Sequence, residues 1–214
     1  MRKDQRQRLR ISFIYHGFSF NAMLNQSDLA AMRSELQKYD EQRELLIKKS
    51  RDVLKLSKQI IYAVHRDELK EAEKLIKDIQ KEKSILGKIA GKDPFLVTEG
   101  SYKVALQEYA EALLYFSVVH AKTLSTSNEL DIPTEYYILG LCDLPGELNR
   151  RAVYLAGKDR FADVVEIRDL VDKIYGELLK FDFRDNEVRR KFDAVKYELR
   201  KLEDLVLELK LKHK

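Results

Sequence analysis

The chain has 214 residues, 44% hydrophobic and 36% charged, with 8 Gly, 3 Pro and one Cys. That length buries a sizeable core as one domain, and few turn formers beside many Lys, Glu, Leu and Ala exclude a many-stranded sheet in favour of long helices. The lone Cys142 excludes an intrachain disulfide and suits a reducing, cytoplasmic setting; set in an apolar run with no His nearby, it reads as a core residue and not a nucleophile.

Residues 1–22 hold Arg2, Lys3, Arg6, Arg8 and Arg10 against Asp4, so they carry the whole net charge of +4. The remaining 35 basic and 35 acidic residues cancel, and any basic surface on the body must be local. The run "ISFIYHGFSFNAM" is broken by His16, Gly17 and Asn21 and lacks a small-residue cleavage site, so it reads as a basic tail or extension, with Met23 an alternative start. Residues 23–214 read as one domain. No segment is long and apolar enough for a membrane span.

Ser27 is the expected cap of a very long first helix, with Leu29, Met32, Leu36, Leu46, Val53, Leu56, Ile60 and Val64 inward, ending near His65. A second helix is expected from Asp67 to the region of Gly87 and Gly91. Pro94 and Pro133 bracket a third over 101–124, joined by a short connection at 125–132 to a helix that stops near Gly157. Another spans 161–180. The last begins near Asp185 or Asn186 and carries Val188, Phe192, Val195, Leu199, Leu202, Val206 and Leu209, a heptad seam for packing and for association. Together these predict an all-α single bundle of six to seven helices.

Two of these helices are poor in charge. From Val104 to His120 the only acids or strong bases are Glu108 and Glu111, and from Tyr136 to Leu148 the only ones are Asp143 and Glu147. Each pair shares a helix face, the second provided the helix survives Pro145, which donates no backbone bond and is expected to loosen or kink the turn. Buried carboxylates need a cation or hydrogen bonds. Four that converge repel one another unless a cation arrives, and hard oxygen ligands suit Mg²⁺ or Mn²⁺, which can activate water and stabilise a phosphoryl group. The alternative is ion pairing with Lys103, Arg150 or Arg151. A ferritin-like centre would need Glu-x-x-His, but Tyr62 and Ser117 stand three before His65 and His120.

The first helix also carries Lys48, Arg51, Lys55 and Lys58 in one stripe, extended by Tyr62, His65 and Arg66. Phosphates favour such a row of cations, and an aromatic can stack on a base; the alternative is an ordinary solvated helix face. The histidines suggest no metal cluster or triad, and no phosphate-cradling Gly-rich loop is present.

The segments "LQEYAEA" (106–112), "YYILGLCDLPGELNRRAV" (136–153) and "KFDAVKYELRKLEDLVLEL" (191–209), with the first helix, resemble the translin family over residues 28–210. They look most like its translin-associated factor X (Trax) branch, in a compact, archaeal-type form. The resemblance implies a bundle of about seven helices and a Mg²⁺-dependent endoribonuclease acting on single-stranded or unpaired RNA. It implies Glu108, Glu111, Asp143 and Glu147 as catalytic metal ligands. Translin-type chains, which lack those acids, imply the alternative of a non-catalytic oligomer binding single-stranded RNA or DNA. Family members assemble as octamers, so a homo-oligomer is the implied state. Pro145 stands where the Trax motif has Thr.

Overall fold

A computed structural model describes residues 24–184 and 186–212. Among them are seven α-helices and no strand, as the periodicity predicts: α1 (Gln26–His65), α2 (Leu69–Ala90), α3 (Gly100–Ala121), α4 (Ser127–Leu130), α5 (Thr134–Ala156), α6 (Phe161–Leu178) and α7 (Asn186–Lys212). The expectations for the basic tail at 1–22 and for Met23 lie outside the described residues. No described helix is long and apolar enough to cross a membrane.

The cap of α1 is Asn25 and not Ser27. The Asn25 Oδ1 accepts from the backbone N–H groups of Ser27 and Asp28, at 3.1 Å each, and from the Ser27 hydroxyl. A side-chain amide oxygen two residues before Ser27 thus satisfies two orphan donors of the first turn. Residues 24–40 bury no side chain, and Leu24, Met32 and Leu36 are exposed.

The compact body begins at Glu41. There α1 turns Leu46, Val53, Ile60, Ile61 and Val64 inward, at the spacing of one helix face. It ends in a turn with Asp67 in the left-handed region, φ 59°, so α2 begins at Leu69, two residues later than expected. The connection before α5 contains a single helical turn, α4, that periodicity did not disclose. Its N-terminal end is fixed locally by a capping box in which Thr126 and Glu129 bond reciprocally.

α3 is the most enclosed helix, burying Ala105 to Gln107, Tyr109 to Tyr115, Ser117 and Val118. α5 packs against α3, α6 and α7. It runs unbroken through Pro145, whose missing N–H leaves the Leu141 carbonyl without its helical donor but ends nothing. The α7 seam is consumed inside the body: Val188, Phe192, Val195, Leu199, Leu202 and Val206 are buried as α7 lies along α5 and α6, and Phe192 stacks on Tyr175 at 5.4 Å. Burial of such side chains contributes about 2 kcal/mol each, and it corrects the expectation that the seam is available for association. The apolar side chains that α7 does leave exposed are Tyr197, Leu207 and Leu211.

Candidate acidic site

The site lies where α3 and α5 cross. Gly140 makes the crossing close: a Cβ there would fall 2.6 Å from the Ala110 Cβ, 2.8 Å from the Glu111 N and 2.9 Å from the Gln107 carbonyl oxygen. Only a residue without a side chain lets the α5 backbone approach α3 so nearly. One turn later on α5, Asp143 therefore meets α3, where the Gln107 side-chain amide donates to its Oδ2 at 2.6 Å.

All four predicted acids enter this region and feel one another. Glu111 is buried, and its carboxyl is pushed up to about 8, first by burial and then by Asp143, Glu108 and Glu147. Glu108 is half-buried and is also raised, chiefly by burial and against the attraction of Lys58. Neither glutamate makes a hydrogen bond or ion pair among the described residues.

The α5 pair is partnered. Lys191 reaches from α7 to both oxygens of Asp143, at 2.7 and 2.8 Å. The His65 Nε2 bonds Glu147, and the Tyr115 hydroxyl lies 2.9 Å from the His65 Nδ1. Burial pushes the Tyr115 phenol above its ordinary range, so it keeps its proton, and the His65 Nε2–H donates to Glu147. The proposed pairings with Lys103, Arg150 and Arg151 do not form. Arg150 is exposed, and Arg151 pairs with Asp67 at 2.6 Å.

Gln107, Lys191 and Tyr115 are thus members of the site that sequence reasoning did not single out, and His65, read there as part of the basic stripe, joins them. Their signals were present but indirect: His65 follows Ile61 by four residues on the inward face of α1, and Lys191 borders the α7 seam. Cys142, buried beside Asp143 and pushed up to about 12 by burial, is a core thiol.

As a donor set, four carboxylates fit a hard divalent ion by type. As oriented, however, no three His, Cys, Asp or Glu side chains among the described residues are arranged to hold one. Asp143 and Glu147 are committed to Lys191, Gln107 and His65.

Of the predicted basic stripe, Lys48, Arg51, Lys55, Lys58 and Tyr62 are exposed on α1, and Arg66 is exposed in the turn just after it. Arg51, Lys55, Lys58 and Tyr62 line an open groove of about 600 Å³. Lys58 adjoins the acidic site through its field on Glu108. Arg66 lies 5.6 Å over the Tyr62 ring and 2.8 Å from Glu68, whereas His65 leaves the stripe and turns inward.

Comparisons with known proteins follow the same lines. The chain is 29% identical over 158 residues to an uncharacterized protein of Methanocaldococcus jannaschii, covering 72% of this chain and 70% of that one. The fold matches the crystal structure of apo-NeC3PO with a TM-score of 0.81 at 24% identity, over 87% of this chain and 99% of that one. It matches AfC3PO with 0.79 at 22% identity, over 86% and 98%, and AfC3PO in complex with duplex RNA with 0.77 at 22% identity, over 86% and 97%. The translin family model matches residues 41–213, the whole compact body apart from its last residue, and the chain belongs to the translin family.

Proposed function

We propose that the protein is a cytoplasmic, metal-dependent endoribonuclease of the Trax-like branch, in a compact archaeal-type form, cleaving single-stranded or unpaired RNA. The observation that carries this reading is the pair of unpartnered glutamates, one of them buried, set beside two more carboxylates at a close helix crossing. An unpaired buried acid is costly, and such arrangements concentrate at functional sites. The AfC3PO complex with duplex RNA places RNA on a protein of this fold, and a relative comes from Methanocaldococcus jannaschii.

Glu108, Glu111, Asp143 and Glu147 would hold Mg²⁺, with Mn²⁺ as a substitute. When bound, the ion supplies Lewis-acid stabilisation of phosphoryl charge and lowers the pKa of a water. The chain does the rest. Gln107 orients Asp143, and His65, steadied by Tyr115, orients Glu147. Glu108, raised above its ordinary value and half-exposed, is the carboxylate poised to take a proton from the attacking water. Lys48, Arg51, Lys55 and Lys58 take the RNA phosphates, and Tyr62 offers a ring to a base. Exposed Tyr197, Leu207 and Leu211 give α7 an apolar surface suited to a homo-oligomer, the octamer implied by the family included.

A second reading, a non-catalytic oligomer binding RNA or single-stranded DNA, is favoured by the commitment of Asp143 to Lys191. One assay separates them. Labelled single-stranded RNA is incubated with Mg²⁺, with EDTA, and with the Glu108→Ala and Asp143→Ala variants. Cleavage that stops with EDTA and in each variant is the expected result. Cleavage indifferent to all three would sink the nuclease site, and binding without cleavage supports the second reading.

A further inference from the structure

Lys191 is closely held by the acidic site. Its ammonium straddles both oxygens of Asp143 at 2.7 and 2.8 Å, while Gln107 occupies a further lone pair of Oδ2 at 2.6 Å. The side chain is only 26% exposed, against 63% for Lys201 on the same helix. A hard divalent ion needs the same oxygens and approaches them more closely than an ammonium can. Two cations held on one carboxylate repel each other, and partial burial weakens the screening between them.

We propose that Lys191 is a resident counter-ion that competes with the divalent ion for Asp143, so that loading the acidic site requires Lys191 to release it. The inference rests on the acidic site being the ion site of the proposed function. Release is mechanically simple. The packing of this turn of α7 is carried by Val188, Phe192 and Val195, all buried, and the flexible lysine stem can carry its ammonium to solvent without disturbing them. While docked, Lys191 supplies the charge that Asp143 requires where Glu108 and Glu111 stand nearby. On loading, the ion takes over that role. The arrangement predicts a weaker, more readily reversed ion affinity than the carboxylates alone would give.

The test is a Mn²⁺ titration of the full-length chain, read by electron paramagnetic resonance of the free ion, together with thermal melting without added ion. Wild type is compared with Lys191→Met, which keeps the stem and removes the charge, and Lys191→Arg, which keeps the charge. Lys191→Met is expected to bind Mn²⁺ about tenfold more tightly and to melt at a lower temperature without the ion. Lys191→Arg is expected to bind no more tightly than wild type. A purely structural lysine would lower the melting temperature and leave the affinity unchanged, and that result overturns the proposal while leaving the ion site standing. Absence of Mn²⁺ binding by all three chains overturns the ion site itself. Should Lys191→Met not fold, Lys191→Gln carries the same comparison.

Discussion

The two carboxylate pairs occupy one site but live under different rules. On α5, Asp143 and Glu147 are answered by donors from three other helices: Gln107 on α3, Lys191 on α7 and His65 on α1. On α3, Glu108 and Glu111 have no such partners among the described residues, and both are raised, Glu111 to about 8. The difference lies in the surroundings and not in residue type. Asp143 and Glu147 on α5 meet donors from three neighbouring helices, while Glu111 is buried on α3 without one. A site built this way is settled on one side and expectant on the other, and the unsettled side is where a proton or a cation has most to offer.

Breaking the contrast at Glu111 gives the largest expected effect. In the unfolded chain its carboxyl titrates near the ordinary 4.5, and in the fold near about 8. Between those values the native state holds a proton that the unfolded state has lost. Its contribution to stability is therefore full below about 4.5, falls as pH rises towards about 8, and is flat beyond. Glu111→Gln keeps the shape and removes the titration. The two proteins should unfold at similar denaturant concentrations at acid pH, and the variant should gain on the order of several kcal/mol above pH 8. Parallel stability curves across that window would show that Glu111 does not hold the proton.

Gly140 sharpens the contrast by separating the pairs. Gly140→Ala must push α5 off the α3 backbone, at a cost of about 3 kcal/mol in chemical denaturation, and should part Gln107 from Asp143. Gly146 on the same helix is the control, because a Cβ there meets nothing within 4 Å. Gly146→Ala should stabilise by up to about 1 kcal/mol through helix propensity alone.

The sequence made both pairs legible and hid what surrounds them. Charge depletion over two long apolar stretches disclosed Glu108, Glu111, Asp143 and Glu147, because a helical wheel reports shared faces within one helix. It does not report which helix lies opposite. Lys191 is 48 residues from Asp143, and His65 is 82 from Glu147, so both partnerships exist only through tertiary packing. The α7 seam was legible as a seam, yet its partner was not: the same heptad serves an internal neighbour as well as a second chain. α4 went unseen because one turn is too short to display a period, and its capping box is local chemistry over Thr126 and Glu129.

A smaller effect is expected behind Glu147. Tyr115→Phe removes the hydroxyl that bonds the His65 Nδ1 and frees the ring to turn, loosening its hold on the carboxylate. The loss in stability should be about 1 kcal/mol, and cleavage should fall roughly tenfold if Glu147 is a ligand that must be oriented. Equal cleavage by both proteins would mean that the His65 contact is structural only.

The smallest effects per residue belong to the stripe on α1, and they divide it in two. Lys48 and Lys55 are exposed and stand apart from the acids, so each substitution by Ala should weaken binding of single-stranded RNA uniformly across sequences. Each should also reduce the slope of log affinity against log salt by about 0.7. Lys58 contributes to phosphate binding in the same way but also faces Glu108, whose carboxyl it holds down. Lys58→Ala should therefore change the salt slope as Lys55→Ala does and, unlike it, move the acid limb of the cleavage profile to higher pH as Glu108 rises further. Lys201, bound to Glu198 on α7, should change neither. A Lys58 variant that alters only the salt slope would disconnect the basic stripe from the acidic site and leave them as two independent surfaces of one helical body.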